Sequence, residues 1–506
     1  MRFESSDLPT YVVDLSAAEQ TRTNDARCPR KLRSHHRPPW PGSIVDVRSA
    51  PLGSAPRSGE VVLYRSRPRS LLLSVLLALT ACAHLPPPMS ADCALPAYRL
   101  AVSKDGIGRG DRQQWSDPEL FRRQVRLNLS EKRTRLLPSE DLLILSGGSQ
   151  HGAFGAGFFA GLGERPGGVP DYTYITGVSA GALNSTLILL ANAPVRKRKY
   201  PPYMAQNYSS NLEIMVSLFS VDRESRIIQP RFGGELAAVR DGSLATFDPL
   251  RSLIFDILTD ETLSDIQAAS RAGRHLLVGV TGLDDGSGYA IDLTKFVDDE
   301  LSNNANRDTV RTCYIDALLA SSSVPPGMPP VSLALYDPFK PSFVPERGMY
   351  IDGGARFGVF WNQLEGPDPP DIKTATMLIN GTLSAGSWEE FDRKGTWSVL
   401  SVAKRSSGIL INQVYRFSVD QIEDQFRSGT SLREAFISSS GLTAYGPEVA
   451  VDPLSYRPMP GARSCGEWLA YDRDHLHPLE FHPHYMQCLV AYGRMRGRQA
   501  AWNRVT

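Results

Sequence analysis

The chain has 506 residues, 42% of them hydrophobic, with 55 Lys and Arg against 54 Asp and Glu. That balance leaves no case for a nucleic-acid partner, whose phosphates demand a clustered basic excess, and the six cysteines fall at no spacing that would hold zinc. The length allows one large domain with additions, and no cofactor motif stands out.

Residues 1–60 are rich in Arg, Pro and Ser and show no apolar periodicity, a composition that cannot bury enough surface to fold. Arg65, Arg67 and Arg69 then precede the apolar run Leu71 to Leu79, followed by Thr80-Ala81-Cys82. A basic flank, an apolar run too short to span a bilayer and small residues at its end predict a secretory signal over residues 61–82. Leu79-Thr80-Ala81-Cys82 resembles the bacterial lipobox, which implies cleavage before Cys82 and lipid attachment to it. The expected location is the bacterial cell envelope, anchored to the outer membrane and facing the periplasm. Because a signal begins a chain, translation is expected to start near Val61, Val62 or Leu63. Cleavage before Cys82 removes 12 Lys and Arg and 7 Asp and Glu, leaving 43 basic and 47 acidic residues. From residue 83 to 135 a Pro-rich tether, including Pro86-Pro87-Pro88, gives way to a charged helix around Pro118 to Arg135.

Asp141 to Ser146 reads as a short buried strand, and Gly147-Gly148-Ser149-Gln150-His151-Gly152 follows where a helix should begin. Backbone N–H groups in such a turn are unpaired and receive an anion. A phosphate loop would need Lys and then Ser or Thr after the last glycine, and Ala153 and Phe154 stand there instead, so oxyanion stabilisation is the better reading. Gly155 and Gly157 lie inside the next helix and are expected to pack it closely against the sheet. Tyr172 to Thr176 reads as a strand and Ala182 to Leu190 as a buried helix, so Gly177-Val178-Ser179-Ala180-Gly181 sits at a strand-to-helix elbow of the kind that exposes a nucleophile. Without those flanks the same five residues would describe a tight turn with an idle serine.

Only 25 residues separate Gly152 from Gly177, room for one helix and one strand, which is too little for the α/β-hydrolase order. The late histidines His475, His477, His482 and His484 crowd a Pro-containing stretch and read better as a solvated loop than as a catalytic base. A carboxylate must then accept the serine proton directly. Asp352 is the candidate, because Met349-Tyr350-Ile351 delivers it as a strand into the Asp352-Gly353-Gly354 turn. Partial burial would have to raise its proton affinity from the usual carboxylate value of about 3.9 for it to act as a base.

These residues resemble the patatin-like phospholipases, lipid acyl hydrolases built on a Ser-Asp dyad. Leu145 to Phe154 is similar to the family's oxyanion loop, Gly177 to Gly181 to its nucleophile elbow, Ala320 to Pro330 to a wall of its active-site region, and Asp352 to Gly354 to its acid turn. The resemblance implies Ser179 as nucleophile, Asp352 as general base, and N–H groups around Gly147, Gly148 and Ser149 as oxyanion donors. It implies a phospholipid or other acyl-lipid substrate, no cofactor and no metal. The implied fold is a three-layer α/β/α domain over residues 136–385 with a mostly parallel central sheet, followed by a mainly helical extension over 386–506. Two positions depart from the family pattern: Ser149 stands where a third glycine is usual, and His151 where Arg or Lys is usual. His151 reads first as a plain hydrogen-bonding histidine, the alternative being that it ties activity to its own protonation. Two other readings are a non-catalytic envelope lipoprotein on the same fold and an α/β-hydrolase-type esterase with a C-terminal histidine.

Further along, Phe247 to Leu258 and Leu263 to Ala269 read as helices, and Leu276 to Thr281 as a core strand before the Asp284-Asp285-Gly286 turn. The basic run Arg196 to Lys199 reads as a solvated loop rather than a lipid-phosphate contact. Thr374 to Ile379 is expected to be the last sheet strand, with a helical pattern through Trp397, Leu400, Val414 and Phe417 after it and a final helix from Tyr485 to Trp502. Cys465 and Cys488 are placed to pair in an oxidising envelope, while Cys93 and Cys313 are expected to stay unpaired.

Overall fold

The run Leu142 to Leu145 is apolar at every position and Tyr172 to Val178 is largely aromatic or β-branched, the mark of strands covered on both faces. In the computed structural model they form the middle of one ten-stranded sheet. Its strands are β1 (Ala94–Leu100), β2 (Ser139–Leu145) and β3 (Asp171–Val178), then, after a two-stranded ribbon of β4 (Gln229–Pro230) and β5 (Ala245–Thr246), β6 (His275–Gly282), β7 (Gly288–Asp292), β8 (Val331–Tyr336), β9 (Glu346–Asp352), β10 (Thr374–Ile379), β11 (Ser431–Phe436) and β12 (Arg504–Val505). Their order is β12-β11-β10-β2-β3-β6-β7-β1-β8-β9. The stretch from β11 to β6 is parallel, and β7, β9 and β12 pair antiparallel. The tip of β6 also pairs with β9.

The structure describes residues 94–505 except 101–114, 116–117, 135–138, 197–199, 206, 233–241, 341–344, 362–363, 365–371, 384–398, 427–429 and 446–462. The expected signal over 61–82, Cys82, Cys28, Cys93 and Lys197 to Lys199 lie outside them. Among the described residues the helices are α1 (Pro118–Thr134), α2 (Gly152–Gly163), α3 (Ala180–Leu189), α4 (Asn211–Phe219), α5 (Asp248–Ile257), α6 (Asp260–Arg271), α7 (Leu293–Ser302), α8 (Arg307–Ser322), α9 (Val399–Gln425), α10 (Ser439–Ala444), α11 (Cys465–His475) and α12 (Pro483–Arg498). Alternate residues of each central strand serve opposite faces. Leu143, Leu145 and Ile175 join a core with α2, α3, α8 and α12, while Leu142, Ile144 and Tyr174 join one with α1 and α9. These are the three layers of the expected α/β/α fold.

Three expectations need correction. Residues 94–100, assigned to the tether, form β1, which pairs with β8 through Pro96 and with β7 beyond it. Thr374 to Ile379 is not the last sheet strand: β11 and β12, from the helical extension, continue the sheet. Ser431-Leu432-Arg433-Glu434-Ala435-Phe436 carries helix-forming residues, and a six-residue parallel register with β10 overrides them. Cys465 and Cys488 are joined, S–S 2.02 Å, which fastens α11 to α12. Cys313, expected free, is disulfide-bonded as well.

Candidate active site

The turn after β3 reverses from strand to helix within one residue, and Gly177 and Gly181 make that possible. A Cβ on Gly177 would come within 2.9 Å of the Ala182 backbone, and one on Gly181 within 2.6 Å of the Ser146 carbonyl beyond β2. Ser179 between them adopts φ 53° and ψ −124°, a left-handed conformation that costs a residue with a side chain about 1–3 kcal/mol. Its neighbours hold the strain in place. Ser179 N–H donates to Ser321 Oγ at 2.9 Å, and that hydroxyl donates onward to Gly279 O at 2.7 Å. Ser179 is left at the N-terminus of α3, buried but lining a cavity.

Strand β6 brings a carboxylate to the serine. Val178 of β3 pairs with Gly279, and the next residue of β6, Val280, pairs with Asp352 at the end of β9. Asp352 N–H donates to Ser323 O at 2.9 Å, two residues beyond Ser321, so the end of α8 ties the two turns together. Gly353 and Gly354 open a single 3-10 turn over Gly353–Ala355, and a Cβ on Gly353 would stand 2.6 Å from Gly279 O. Asp352 Oδ1 accepts from Gly354 N–H at 2.5 Å, and Oδ2 has no partner. The nearby Ser179 hydroxyl lowers the carboxyl's proton affinity, yet the pair falls short of a hydrogen bond of standard length and angle. Such contacts commonly tighten only when substrate binds. Burial outweighs both donors and pushes the Asp352 pKa up to about 7.

The loop after β2 lies on the other side of the elbow. Gly148 takes φ 147° and Ser149 φ 51°, and a Cβ on Gly148 would collide with the Asn380 carbonyl. Of the three expected donors, Gly147 N–H is engaged, at 3.3 Å with Gly358 O. Gly148 caps and Ser149 opens the 3-10 turn over Ser149–His151, where N–H groups have no acceptor within the helix. Gly152 starts α2 so close to Phe219 that a Cβ would lie 2.6 Å from its ring. The His151 ring donates from Nδ1 to Gly148 O at 2.9 Å, and burial lowers its pKa below the usual histidine value. Where the resemblance leads one to expect Arg or Lys, the structure thus has a histidine whose lowered pKa favours the neutral ring.

Several positioning contacts carry no signature in the sequence. Asn380 N–H donates to Ser146 Oγ and its Nδ2 to Ser146 O, both at 2.8 Å, which fixes the start of the oxyanion loop. Ser149 Oγ donates to Glu480 Oε1 at 2.8 Å. The Glu480 segment is itself organised by Glu224, whose carboxylate accepts the N–H groups of Leu479, Glu480 and Phe481 at 2.9, 2.7 and 2.8 Å. Ser321 is the exception, because it falls in the segment already singled out as an active-site wall.

The late histidines are occupied elsewhere. His482 meets Gln150 Oε1 at 3.0 Å, His475 meets Tyr471 O at 2.9 Å, and His484 meets Asp472 Oδ1 at 2.5 Å while stacking on Trp468. Arg196 is held by both oxygens of Asp265, at 2.7 and 2.5 Å.

Ser179 and Ser149 open into a cavity of about 630 Å³, well within the range of small-ligand sites. Its walls are mainly hydrocarbon, among them Leu183, Leu187, Leu218, Ile254, Leu258 and Met328, with Ser407, Gly408 and Ile411 of α9 also lining it.

Residues 143–363 match the family model described as patatin-like phospholipase. The crystal structure of VipD from Legionella pneumophila aligns with 73% of this chain and 68% of its own, at 13% identity and a TM-score of 0.26, a likeness too distant for anything to be carried over. No curated protein matches the chain.

Proposed function

We propose that this chain, which carries a patatin-like phospholipase domain, hydrolyses the acyl ester of a lipid with Ser179 as nucleophile and Asp352 as its only base. The observation that carries this reading is the placement of both groups on adjoining turns across β6, with the serine opening into a hydrocarbon-walled cavity. Ser179 Oγ attacks the ester carbonyl while Asp352 takes the hydroxyl proton. The carbonyl oxygen, now an oxyanion, is received by the Gly148 and Ser149 N–H groups. Collapse expels the alcohol portion of the lipid, which leaves with the proton from Asp352, and the acyl group stays on Ser179. Water, deprotonated by Asp352, then attacks the acyl-enzyme, and collapse breaks the acyl–Ser179 bond as Asp352 returns that proton to Ser179 Oγ, releasing a fatty acid. A pKa near 7 suits a base that must both take and return a proton at neutral pH, and the apolar walls suit an acyl chain rather than a polar substrate.

An activated serine reacts with a fluorophosphonate probe, whereas an idle one does not. The protein is expected to label at Ser179, to lose labelling in Ser179→Ala, and to turn over members of a panel of phospholipids and monoacyl esters. A protein that folds but neither labels nor hydrolyses the panel would leave the non-catalytic lipoprotein as the better reading. The α/β-hydrolase esterase reading has no support from His475, His482 or His484, whose ring contacts run to other groups.

We also propose that the mature chain is anchored to the envelope membrane through lipid on Cys82, a reading that rests on the sequence around residues 65–82. The outer side of α9 is compatible with work at a lipid surface: Ile409, Leu410 and Phe417 are exposed on the helix whose Ser407, Gly408 and Ile411 line the cavity. Membrane-extracted protein is expected to show an intact mass beginning at acylated Cys82, and Cys82→Ala to abolish both the cleavage and the added mass. A mature N-terminus elsewhere would sink the anchor.

A further inference from the structure

The oxyanion loop is short of donors. Gly147 N–H is spent on Gly358 O, and the ring at position 151 is neutral. The space above Gly147 is filled by Tyr415, from α9, well outside the span that matches the family model. Three glycines make a seat for it. A Cβ on Gly147 would collide with the Tyr415 hydroxyl, one on Gly358 would collide with the ring, and one on Gly354 would lie 3.1 Å from the hydroxyl and 2.8 Å from Asp352 Oδ1. The Cβ of Ser179 would stand 2.9 Å from that same added atom on Gly147. The phenol oxygen and the serine side chain thus border one small space over Gly147, with the Asp352 carboxyl beside it. No group among the described residues hydrogen-bonds the Tyr415 hydroxyl.

An O–H donor on a half-buried tyrosine, beside a nucleophile and without a protein partner, gains little in the resting protein beyond contact with water. It becomes favourable when an oxygen that gains negative charge arrives between it and the serine. We propose that Tyr415 is a further donor of the oxyanion hole, and that its phenol O–H hydrogen-bonds the ester carbonyl oxygen as Ser179 adds to the carbonyl carbon. The proton stays on the phenol and the charge on the substrate oxygen, so the balance of the two half-reactions is unchanged. Burial and the Asp352 charge both hold the phenol well above the usual tyrosine pKa, which keeps it a donor throughout the working range. This role rests on Ser179 being the nucleophile.

Tyr415→Phe removes one oxygen and leaves the ring in its seat, so the fold is not at risk. With a soluble monoacyl ester the variant is expected to lose about 10²- to 10³-fold in kcat, the usual effect of deleting one such donor, with KM little changed. Affinity for a trifluoromethyl ketone analogue, which Ser179 converts to a tetrahedral oxyanion, should fall by the same factor as kcat/KM. Affinity for the matching unreactive ether should hold. An unchanged kcat overturns the proposal, and so does a higher one, which would make Tyr415 a plug. A loss of affinity for ketone and ether alike would reduce Tyr415 to a structural role and overturn it too. If the parent protein labels at Ser179 and hydrolyses the ester while Tyr415→Phe matches it, only the tyrosine's role fails. A parent that does neither overturns both.

Discussion

Asp352→Asn is expected to abolish ester hydrolysis and yet make the protein harder to unfold at pH 8. The two effects have one cause. Asp352 is 3% exposed, one of its oxygens has no partner, and burial raises its pKa from 3.8 to about 7. A carboxyl whose pKa is raised by folding favours the native state fully below its unfolded value and loses that contribution as pH rises through the folded value. The ionised carboxylate is therefore a burden on the fold above pH ~7, worth up to about 4 kcal/mol, since each tenfold gain in proton affinity corresponds to ~1.4 kcal/mol. Asparagine removes that burden and can still accept the Gly354 N–H, so its Tm should exceed that of the parent by several degrees at pH 8, with the gap closing towards pH 4. The same ionisation should appear in kinetics: kcat/KM of the parent should fall about tenfold per pH unit below ~7 and level off above it. A Tm difference that is the same at pH 4 and pH 8, or residual turnover in Asp352→Asn, would show that the carboxylate is not the buried base described.

The parts of the site that could be read from the sequence are those where backbone meets backbone. Gly177, Gly181 and Gly353 are required because any side chain would strike a main-chain atom, and such requirements leave a spacing that survives without knowledge of the fold. The strands around them were equally legible, since Leu142 to Leu145 is apolar at every position and Tyr172 to Val178 is largely aromatic or β-branched. Side-chain contacts leave no such trace. Tyr415 sits in an amphipathic helix with nothing nearby to mark it, and the Ser149–Glu480 contact joins residues far apart in the chain whose types are ordinary. Strand β11 was hidden for another reason: its composition favours helix, and only the partner β10 decides the outcome. Burial was the remaining unknown. The sequence suggests that Asp352 needs a raised proton affinity, but the size of that shift, like the lowering at His151, follows from burial in the folded chain.

That helix is more than an appendage, and Gly493→Ala should show it by lowering stability by more than about 2 kcal/mol. Helix α2, which begins directly after the oxyanion loop, is buried along nearly its whole length. The sequence predicts that its glycines face the sheet, and Gly155 does, against Leu378 and Asn380. Gly157 and Gly161 instead meet the backbone of α12 at Val490 and Arg494, while Gly493 and Gly497 of α12 meet the Phe154 and Phe158 carbonyls of α2. Two helices with glycines four residues apart thus lock main chain against main chain, close enough for Cα–H···O contacts, and the Cys465–Cys488 bond holds the second in place. A methyl at Gly493 has no flexible side chain to displace, so the helices must separate. Overpacking of this kind costs typically about 1–3 kcal/mol, and here backbone is the obstacle. Gly466→Ala is the control, since a Cβ there would have nothing nearer than 3.9 Å and alanine favours helix by up to about 1 kcal/mol. Urea unfolding of both variants decides the matter. Equal stability would mean that α12 merely rests on α2. The expected loss at Gly493 should come with a disproportionate fall in Ser179 labelling at pH 8, because moving α2 moves the Gly148 and Ser149 N–H groups of the loop that leads into it.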